Sequence, residues 1–296
     1  MFESIIGNEE IKNNLQKSIN HQNISHSYLF IGREGIGKKK IAKEFAKSIL
    51  CLGEEKEQNQ CKSCLEFDTD NHPDFTIIQP EGNSLKIDQI REWQTKVAER
   101  PIISKKKVYL IDDSDKMTTE AQNALLKTLE EPPEFVIILL IGSNESAFLT
   151  TIRSRCMILH FQPIPEEEIR NYLRVQEHRE NISDTWLKTC QGSIGKAIEL
   201  NGKIELYQKA EQLIQSIKQE NVLTLWQKAQ FLMENKDQIE GLLDYMNVLL
   251  LSLAKEDYHY ARGIEIIENT KKRLKSNGNY DMSIDNLILQ MKEQIR

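Results

Sequence analysis

The sequence predicts an α/β protein in which a parallel sheet covered by helices is followed by an all-helical remainder. Up to about residue 160, short apolar runs alternate with helical patterns. That order favours parallel strands with helices on both faces of the sheet. After Pro163 and Pro165 the strand signals cease and only helical periodicity continues, so this pair of prolines marks a predicted domain junction.

The alternating region contains five candidate strands. They are Tyr28–Ile31, Phe75–Ile78, Val108–Ile111, Phe135–Ile141 and Met157–Phe161. Helical patterns fill the gaps. Asn8 is predicted to cap the first helix because Glu9 and Glu10 follow it, and Thr118 to Glu130 is predicted to form another helix that ends before two prolines.

Composition and charge narrow the class of protein. The chain has 296 residues, of which 39% are hydrophobic, enough for more than one domain with a core. A net charge of −6 argues against a free-standing nucleic-acid binder. We see no membrane span and no signal region, and the five cysteines are an odd number, so a cytoplasmic protein without a disulfide framework is predicted.

A phosphate-loop signature follows the first strand. It reads Gly32-Arg-Glu-Gly35-Ile-Gly37-Lys38-Lys39 and leads into a helical pattern, the context that such a loop requires. Its backbone N–H groups and the helix N-terminus would hold phosphate oxygens, with Lys38 as a point charge. Hydrolysing enzymes place Ser or Thr where this chain has Lys39, and an ammonium group cannot coordinate Mg²⁺.

A second nucleotide-site signature is the apolar strand that ends in Asp112 and Asp113. In ATPases the first acid supports Mg²⁺ and the second polarises the attacking water. Asp113 is one methylene shorter than the usual Glu, which weakens its case as a general base. The alternative is a solvated acidic turn.

Three consecutive lysines, Lys105–Lys107, lie before this strand. They are predicted to be solvated and not to contact DNA.

Several ordered motifs resemble those of the AAA+ clamp-loader family. They are Ile5-Ile-Gly7-Asn8, His26–Gly32, Ile111–Met117, Asn123–Pro133 and Thr151-Ile-Arg-Ser-Arg-Cys156. The resemblance is strong over about residues 2–200. It implies a RecA-like core over 1–162, a helical lid over 163–202, and a helical collar over 203–296. In the collar one apolar helix face is formed by Leu242, Leu243, Met246, Leu249, Leu250 and Leu253.

The resemblance also implies a role for Arg155. In that family the arginine of Ser-Arg-Cys is a finger that reaches the γ-phosphate held by the next subunit, a task that suits the planar guanidinium. The implied partners are motor subunits and a delta subunit in a hetero-pentameric ring, with the sliding clamp and primer–template DNA contacted through the complex. The alternative is that Arg155 merely pairs with a surface acid.

The lid departs from the pattern of relatives that hydrolyse ATP. Those relatives carry an arginine that senses the γ-phosphate, and the matching stretch here has Gly195 in its place. Lys39, Asp113 and Gly195 each degrade one part of the hydrolytic machinery. We therefore expect a stator subunit that binds ATP or ADP without turnover, if it binds nucleotide at all.

The resemblance further implies a zinc module in the insert at about residues 51–74. Cys51, Cys61 and Cys64 fall on three of its four cysteine positions, and Gln58 stands at the remaining one. Glutamine is a poor zinc ligand beside thiolate or imidazole. His72 or water could complete the site; the alternative is a relic loop with free thiols.

Three other functions compete with the stator. An ATP-hydrolysing clamp-loader motor subunit is disfavoured by Lys39 and Gly195. A small-molecule kinase with a phosphate loop is disfavoured by the Ser154-Arg-Cys156 motif and the long helical region. A DNA-binding module built on the cysteines conflicts with the acidic net charge.

Overall fold

The computed structural model describes residues 1–53, 61–180, 182–276 and 278–295. It divides into two compact units. Unit 1 comprises residues 1–168 and 193–195, and unit 2 comprises residues 169–192 and 196–296. The predicted separation of a lid from a collar stays a prediction. No helix in the described ranges is both long and apolar enough to span a membrane.

Unit 1 contains a parallel sheet of five strands in the order β2-β3-β4-β1-β5. The strands are β1 (Ser27–Ile31), β2 (Phe75–Ile78), β3 (Lys107–Ile111), β4 (Val136–Gly142) and β5 (Met157–His160). Every predicted strand is confirmed to within one residue at each end. The predicted α/β class is also confirmed.

The helices of unit 1 cover both faces of this sheet. They are α1 (Glu9–Asn20), α2 (Lys38–Leu50), α3 (Lys62–Asp68), α4 (Ile87–Val97), α5 (Thr119–Glu130) and α6 (Thr150–Arg153). Strands β1, β3 and β4 are buried along their whole length. Successive side chains alternate between faces, so Tyr28 and Phe30 join the core beneath α1 and α2. Leu29 and Ile31 join the core beneath α4 and α5.

Asn8 occupies the N-cap position of α1 as predicted, but its side chain makes no capping hydrogen bond, so that part of the prediction is wrong. The backbone of Asn8 is left-handed, with φ of 54°, whereas a capping residue normally has an extended backbone. Its side-chain amide instead forms hydrogen bonds with the backbone of Gln162. The Asn8 Oδ1 atom accepts the Gln162 N–H at 2.7 Å, and Nδ2 donates to the Gln162 carbonyl at 3.3 Å. The residue thus joins the start of the chain to the segment after β5.

Lys107 is buried, so the prediction of a solvated lysine run is wrong at this position. Its ammonium group donates to the carbonyl of Lys96 at 3.4 Å and lies 3.7 Å from the carboxylate of Glu99. Lys106 donates to the carbonyl of Glu134 at 2.7 Å, and Lys105 alone is exposed. The start of β3 is therefore tied to α4 and to the turn before β4.

The described residues of unit 2 form helices and connecting loops, with no strand among them. Its helices, of which α7 and α9 begin in unit 1, are α7 (Glu166–Gln176), α8 (Asp184–Cys190), α9 (Ile194–Gly202), α10 (Ile204–Ser216), α11 (Val222–Lys228), α12 (Gln230–Glu234), α13 (Ile239–Leu253), α14 (Tyr260–Lys275) and α15 (Tyr280–Gln294). Helix α13 packs against α8, α10 and α14. Its predicted apolar face is buried inside this unit, except that Leu253 is only partly covered.

We expect Asn8→Ala to lower the free energy of unfolding by about 1–3 kcal/mol, because two hydrogen bonds are lost and alanine resists a left-handed backbone. Asn8→Gly is the matched control, since it removes the same two bonds but tolerates the backbone. It should therefore fall between the wild type and the alanine variant. Urea unfolding measures all three, and equal midpoints would show that the Asn8–Gln162 bridge contributes nothing.

Candidate nucleotide and metal sites

The phosphate loop lies at the carboxyl edge of the sheet in unit 1, where ligands of open parallel sheets bind. It follows β1 and ends at Gly37, which has a φ of 98° and directly precedes α2. A cavity of about 380 Å³ opens beside it. The cavity is lined by Glu34, Gly35, Gly37, Lys38, Lys39, Lys40, Asp112, Asp113, Ile141, Gly142 and Ser143. The structure thus brings the residues of the two predicted signatures together.

The ammonium group of Lys38 is bound by the loop itself. It donates to the carbonyls of Gly32 at 2.5 Å and Arg33 at 2.7 Å. Burial lowers the pKa of Lys38, and the nearby carboxylates of Asp115, Glu34, Asp112 and Asp113 partly oppose that effect. The cation predicted to meet a phosphate therefore already has oxygen partners in its own chain.

Lys39 and Asp112 form an ion pair across the cavity. The Nζ atom of Lys39 lies 2.8 Å from Oδ2 of Asp112, the carboxylate predicted to support Mg²⁺. Asp113, predicted to polarise water, has a left-handed backbone and accepts a hydrogen bond from the Lys116 ammonium at 2.7 Å. Both acids of the second signature are thus paired with lysines.

Gly195 packs directly on the phosphate loop within unit 1. Its N–H donates to the carbonyl of Gly35 at 2.9 Å. A Cβ atom at position 195 would lie 2.9 Å from the Cα atom of Gly35 and 3.2 Å from its carbonyl oxygen. Any larger residue, an arginine included, would displace the loop.

The end of β4 supplies cavity residues that the sequence analysis missed. Gly142 and Ser143 line the cavity, and the Asp115 carboxylate accepts the N–H groups of Ser143 and Asn144 at 3.0 and 3.1 Å. Their position at the end of a buried strand could have predicted this role, because the carboxyl ends of parallel strands meet at one edge of the sheet.

Arg155 lies at the opposite, amino edge of the sheet. It precedes β5, and its carbonyl accepts the hydroxyl of Ser27, the first residue of β1, at 2.6 Å. Its guanidinium lies 2.8 Å from Glu130 at the end of α5 and donates to the carbonyl of Thr151 at 2.9 Å. The side chain remains 35% exposed. Five residues of strand, roughly 16 Å, separate this edge from Gly32.

The thiols of Cys51, Cys61 and Cys64 form a cluster in unit 1. Their sulfur atoms lie within 4.8 Å of one another, with 3.7 Å between Cys51 and Cys61 and 3.5 Å between Cys61 and Cys64. Tetrahedral zinc with Zn–S bonds of 2.3 Å spaces its sulfur ligands roughly 3.8 Å apart. The three cysteines therefore fit three corners of a zinc site and could bind zinc. Gln58 lies outside the described residues.

Electrostatics distinguish the thiols of Cys61 and Cys64. Burial opposes ionisation of Cys61, but the N–H groups of Cys64 and Leu52 and the neighbouring thiols outweigh it and lower its pKa to about 6. Burial and the two neighbouring sulfur atoms raise the pKa of Cys64. Cys61 therefore ionises before Cys64 in the metal-free protein.

His72 does not join the cysteine cluster. Its Nδ1 atom accepts the N–H of Asp74 at 3.1 Å, and its Nε2 atom contacts the hydroxyl of Ser63 at 2.9 Å. Both ring nitrogens are therefore engaged, and the suggestion that His72 completes the metal site is not supported by this geometry.

The five-stranded sheet, the phosphate loop and the paired acids at its carboxyl edge define an AAA+ core. The family model described as "DNA polymerase III, delta subunit" matches residues 7–165. The chain is 31% identical to DNA polymerase III subunit delta' of Bacillus subtilis over 94% of each protein. The chain therefore belongs to the delta prime family of DNA polymerase III clamp-loader subunits.

The matches to tau and gamma subunits cover a smaller part of those relatives. The chain is 34% identical to subunit tau/gamma of Haemophilus influenzae over 67% of this chain, which is 30% of that protein. It is 36% identical to subunit tau of Bacillus subtilis over 57% of this chain, again 30% of the relative.

A solved structure resembles the chain over nearly its whole length. The crystal structure of a gamma subunit-related protein from Thermotoga maritima aligns with a TM-score of 0.56 at 19% identity and covers 95% of this chain and 99% of that one. At this identity the match supports the fold alone.

We expect iodoacetamide at pH 7 to modify Cys61 first in chelator-treated protein, because its pKa of about 6 makes it mostly thiolate. Cys156 should react slowly, since burial raises its pKa to about 11. Mass spectrometry of peptides after timed quenching gives the order. Cys61→Ser is the control for peptide assignment, and faster labelling of Cys156 than of Cys61 would contradict the proposed electrostatics.

Proposed function

We propose that this chain is a non-catalytic stator subunit of the bacterial clamp loader that supplies Arg155 to the ATP site of a neighbouring subunit. The observation that carries the proposal is the position of Arg155 at the amino edge of the sheet, with its own phosphate loop at the carboxyl edge. This distance from its own loop supports a role toward the nucleotide of another subunit. It is partly exposed and held in a defined orientation, which suits a phosphate-bracing role.

The contacts of the phosphate loop support the absence of turnover. The Lys39 ammonium pairs with the carboxylate that would support Mg²⁺, and Asp113 pairs with Lys116. Gly195 leaves no room for a side chain that could sense a γ-phosphate. The glycines and Lys38 still surround a cavity of about 380 Å³, so we retain binding of ATP or ADP without hydrolysis as part of the proposal.

The proposed partners follow from family membership. Relatives of this chain are named as delta', gamma and tau subunits of DNA polymerase III. We propose that it joins motor subunits and a delta subunit in a hetero-pentameric ring in the cytoplasm, and that the ring opens and loads the sliding clamp on primed DNA. In this proposal residues 1–162 are the core, 163–202 the lid and 203–296 the collar that joins the ring.

Zinc bound by Cys51, Cys61 and Cys64 is also part of the proposal. The sulfur spacing and the low pKa of Cys61 favour thiolate coordination. The metal would have a structural role, because the cluster ties the end of α2 to α3 within unit 1.

A motor subunit is the second candidate, because the chain is 34–36% identical to tau/gamma and tau subunits over 57–67% of its length. Lys39 disfavours it, since pairing with Asp112 leaves the Mg²⁺ ligands incomplete. The match to a delta' subunit over 94% of both chains also favours the stator.

We expect the isolated protein to release phosphate from ATP no faster than a protein-free control, because Lys39 stands in the place of the Mg²⁺ ligand. A steady-state phosphate assay with excess Mg²⁺ measures this. Turnover of about 1 per second, an ordinary enzymatic rate, that disappears in Lys38→Ala would favour the motor subunit instead. Lys38→Ala is needed because contaminating ATPases would be unaffected by it.

We expect Arg155→Ala to reduce the DNA- and clamp-stimulated ATPase of the reconstituted complex by the share of one site. An arginine finger contributes roughly 10³–10⁵ in rate to the site that it serves, so that site should fall silent. Arg155→Lys should fail similarly, because lysine lacks the planar fork. Rates are compared at matched assembly, verified by gel filtration.

Arg153→Ala is the matched control for Arg155→Ala. Arg153 is two residues away and also pairs with an acid, Glu145 at 3.2 Å, so its loss removes a similar ion pair from the same segment. Complexes with Arg153→Ala should keep their ATPase. Equal ATPase rates for wild type and Arg155→Ala would eliminate the trans-acting role and leave Arg155 as a structural partner of Glu130.

A further inference from the structure

A buried polar network lies behind the cysteine cluster. It consists of Ser63, His72 and Ser104, whose exposed fractions are 1%, 4% and 9%, arranged around the carbonyl of Leu50. The hydroxyls of Ser63 and Ser104 donate to that carbonyl at 2.8 and 2.7 Å. The neighbouring His72 Nε2 atom lies 2.9 Å from the Ser63 hydroxyl and 3.4 Å from that of Ser104. None of these side chains takes part in the nucleotide site.

The hydrogen bonds determine the tautomer of His72. Its Nδ1 atom accepts the N–H of Asp74, so the proton of the neutral ring is on Nε2. The Nε2–H group therefore donates to Ser63, whose own hydroxyl proton goes to the carbonyl of Leu50. Burial lowers the pKa of His72 and keeps the ring neutral. With a proton on one nitrogen and a donor against the other, the ring offers no lone pair to a metal ion.

Asp74 holds the other side of the network. Its buried carboxylate accepts the backbone N–H groups of Ile102, Ile103 and Ser104 at 2.6, 2.8 and 2.7 Å. These three bonds fix the loop that carries the Ser104 hydroxyl. The turn from His72 to Asp74 thus orients two hydroxyls toward one carbonyl.

The network contacts the backbone beside two of the three clustered cysteines. Leu50, whose carbonyl receives both hydroxyls, directly precedes Cys51. Ser63, which bonds to His72, directly precedes Cys64. Cys51 and Cys64 are buried, so their sulfur positions follow their backbone closely. The Ser63 hydroxyl thus links the start of α3 to the end of α2, and His72 orients that hydroxyl.

We propose that His72 is a positioning residue for metal binding: through Ser63 and Ser104 it holds Cys51 and Cys64 at the spacing that zinc requires, without being a ligand. The proposal rests on the zinc binding proposed above. Preorganisation matters more here than in a four-cysteine site, because the three clustered thiolates must supply most of the affinity. Residues that orient metal ligands typically change metal affinity 10–100-fold when removed.

The test is zinc affinity of the purified full-length chain, measured by competition with a chromophoric chelator at pH 7.5 under reducing conditions. His72→Ala should bind Zn²⁺ about 10–100-fold more weakly than wild type. His72→Gln can still donate to Ser63 and should recover most of the affinity. Ser63→Ala and Ser104→Ala should each show an intermediate loss, and Cys64→Ser is the control for loss of a ligand.

Cobalt(II) as a probe separates positioning from ligation. Its visible spectrum reports the number and type of ligands, so wild type and His72→Gln should give the same thiolate-type spectrum. A changed ligand signature in His72→Gln would mean that His72 coordinates the metal and would overturn the proposal.

Asn8→Ala controls for general destabilisation, since it weakens unit 1 at a site with no contact to the network. It should bind zinc as wild type does. If Asn8→Ala and His72→Ala lose affinity equally at equal loss of stability, the effect is not positional and the proposal is wrong. If His72→Ala binds zinc as tightly as the wild type, the positioning role of His72 is wrong but the zinc site stands. If the wild type binds no zinc, both the zinc site and the positioning role are wrong.

Discussion

Strand β1 is the element on which the functional layout of this protein depends. It is buried on both faces between β4 and β5, and its two ends carry different chemistry. The carboxyl end continues into the phosphate loop, and the amino end binds the backbone of Arg155 through Ser27. Because close-packed strands do not shorten or bend freely, the arginine and the loop of one chain remain at opposite edges of the sheet. This separation is the basis for the proposal that Arg155 acts on a nucleotide held by another subunit.

In the phosphate loop both lysines of the signature are bound by groups of the same chain. Lys38 is bound by two loop carbonyls, and Lys39 is bound by Asp112. These interactions engage both ammonium groups within the chain. Lys38 is buried, and a buried charge is costly without partners, so its two carbonyl partners stabilise the loop.

Prediction from the sequence succeeded where the signal is local and failed where it depends on distant contacts. The strands were located to within one residue because each is a compact apolar run bounded by polar or turn-forming residues. The side-chain cap predicted at Asn8 does not form because its amide binds the backbone of Gln162, which is far away in sequence. Lys107 was expected in solvent because neither Glu99 nor the Lys96 carbonyl could be foreseen as its neighbours. Gly142 and Ser143 were not predicted because they belong to none of the recognised motifs.

The sequence by itself determined the order of strands and helices, the phosphate loop, the spacing of the cysteines and the family. These properties arise from short-range periodicity and from contiguous motifs, which the chain carries before it folds. Only the tertiary structure decided that Lys39 pairs with Asp112, that Arg155 lies at the edge opposite its own loop, and that both nitrogens of His72 are occupied. The physical reason is that a charge or a lone pair is satisfied by whichever group packing brings within about 3 Å, and packing joins residues that are far apart along the chain.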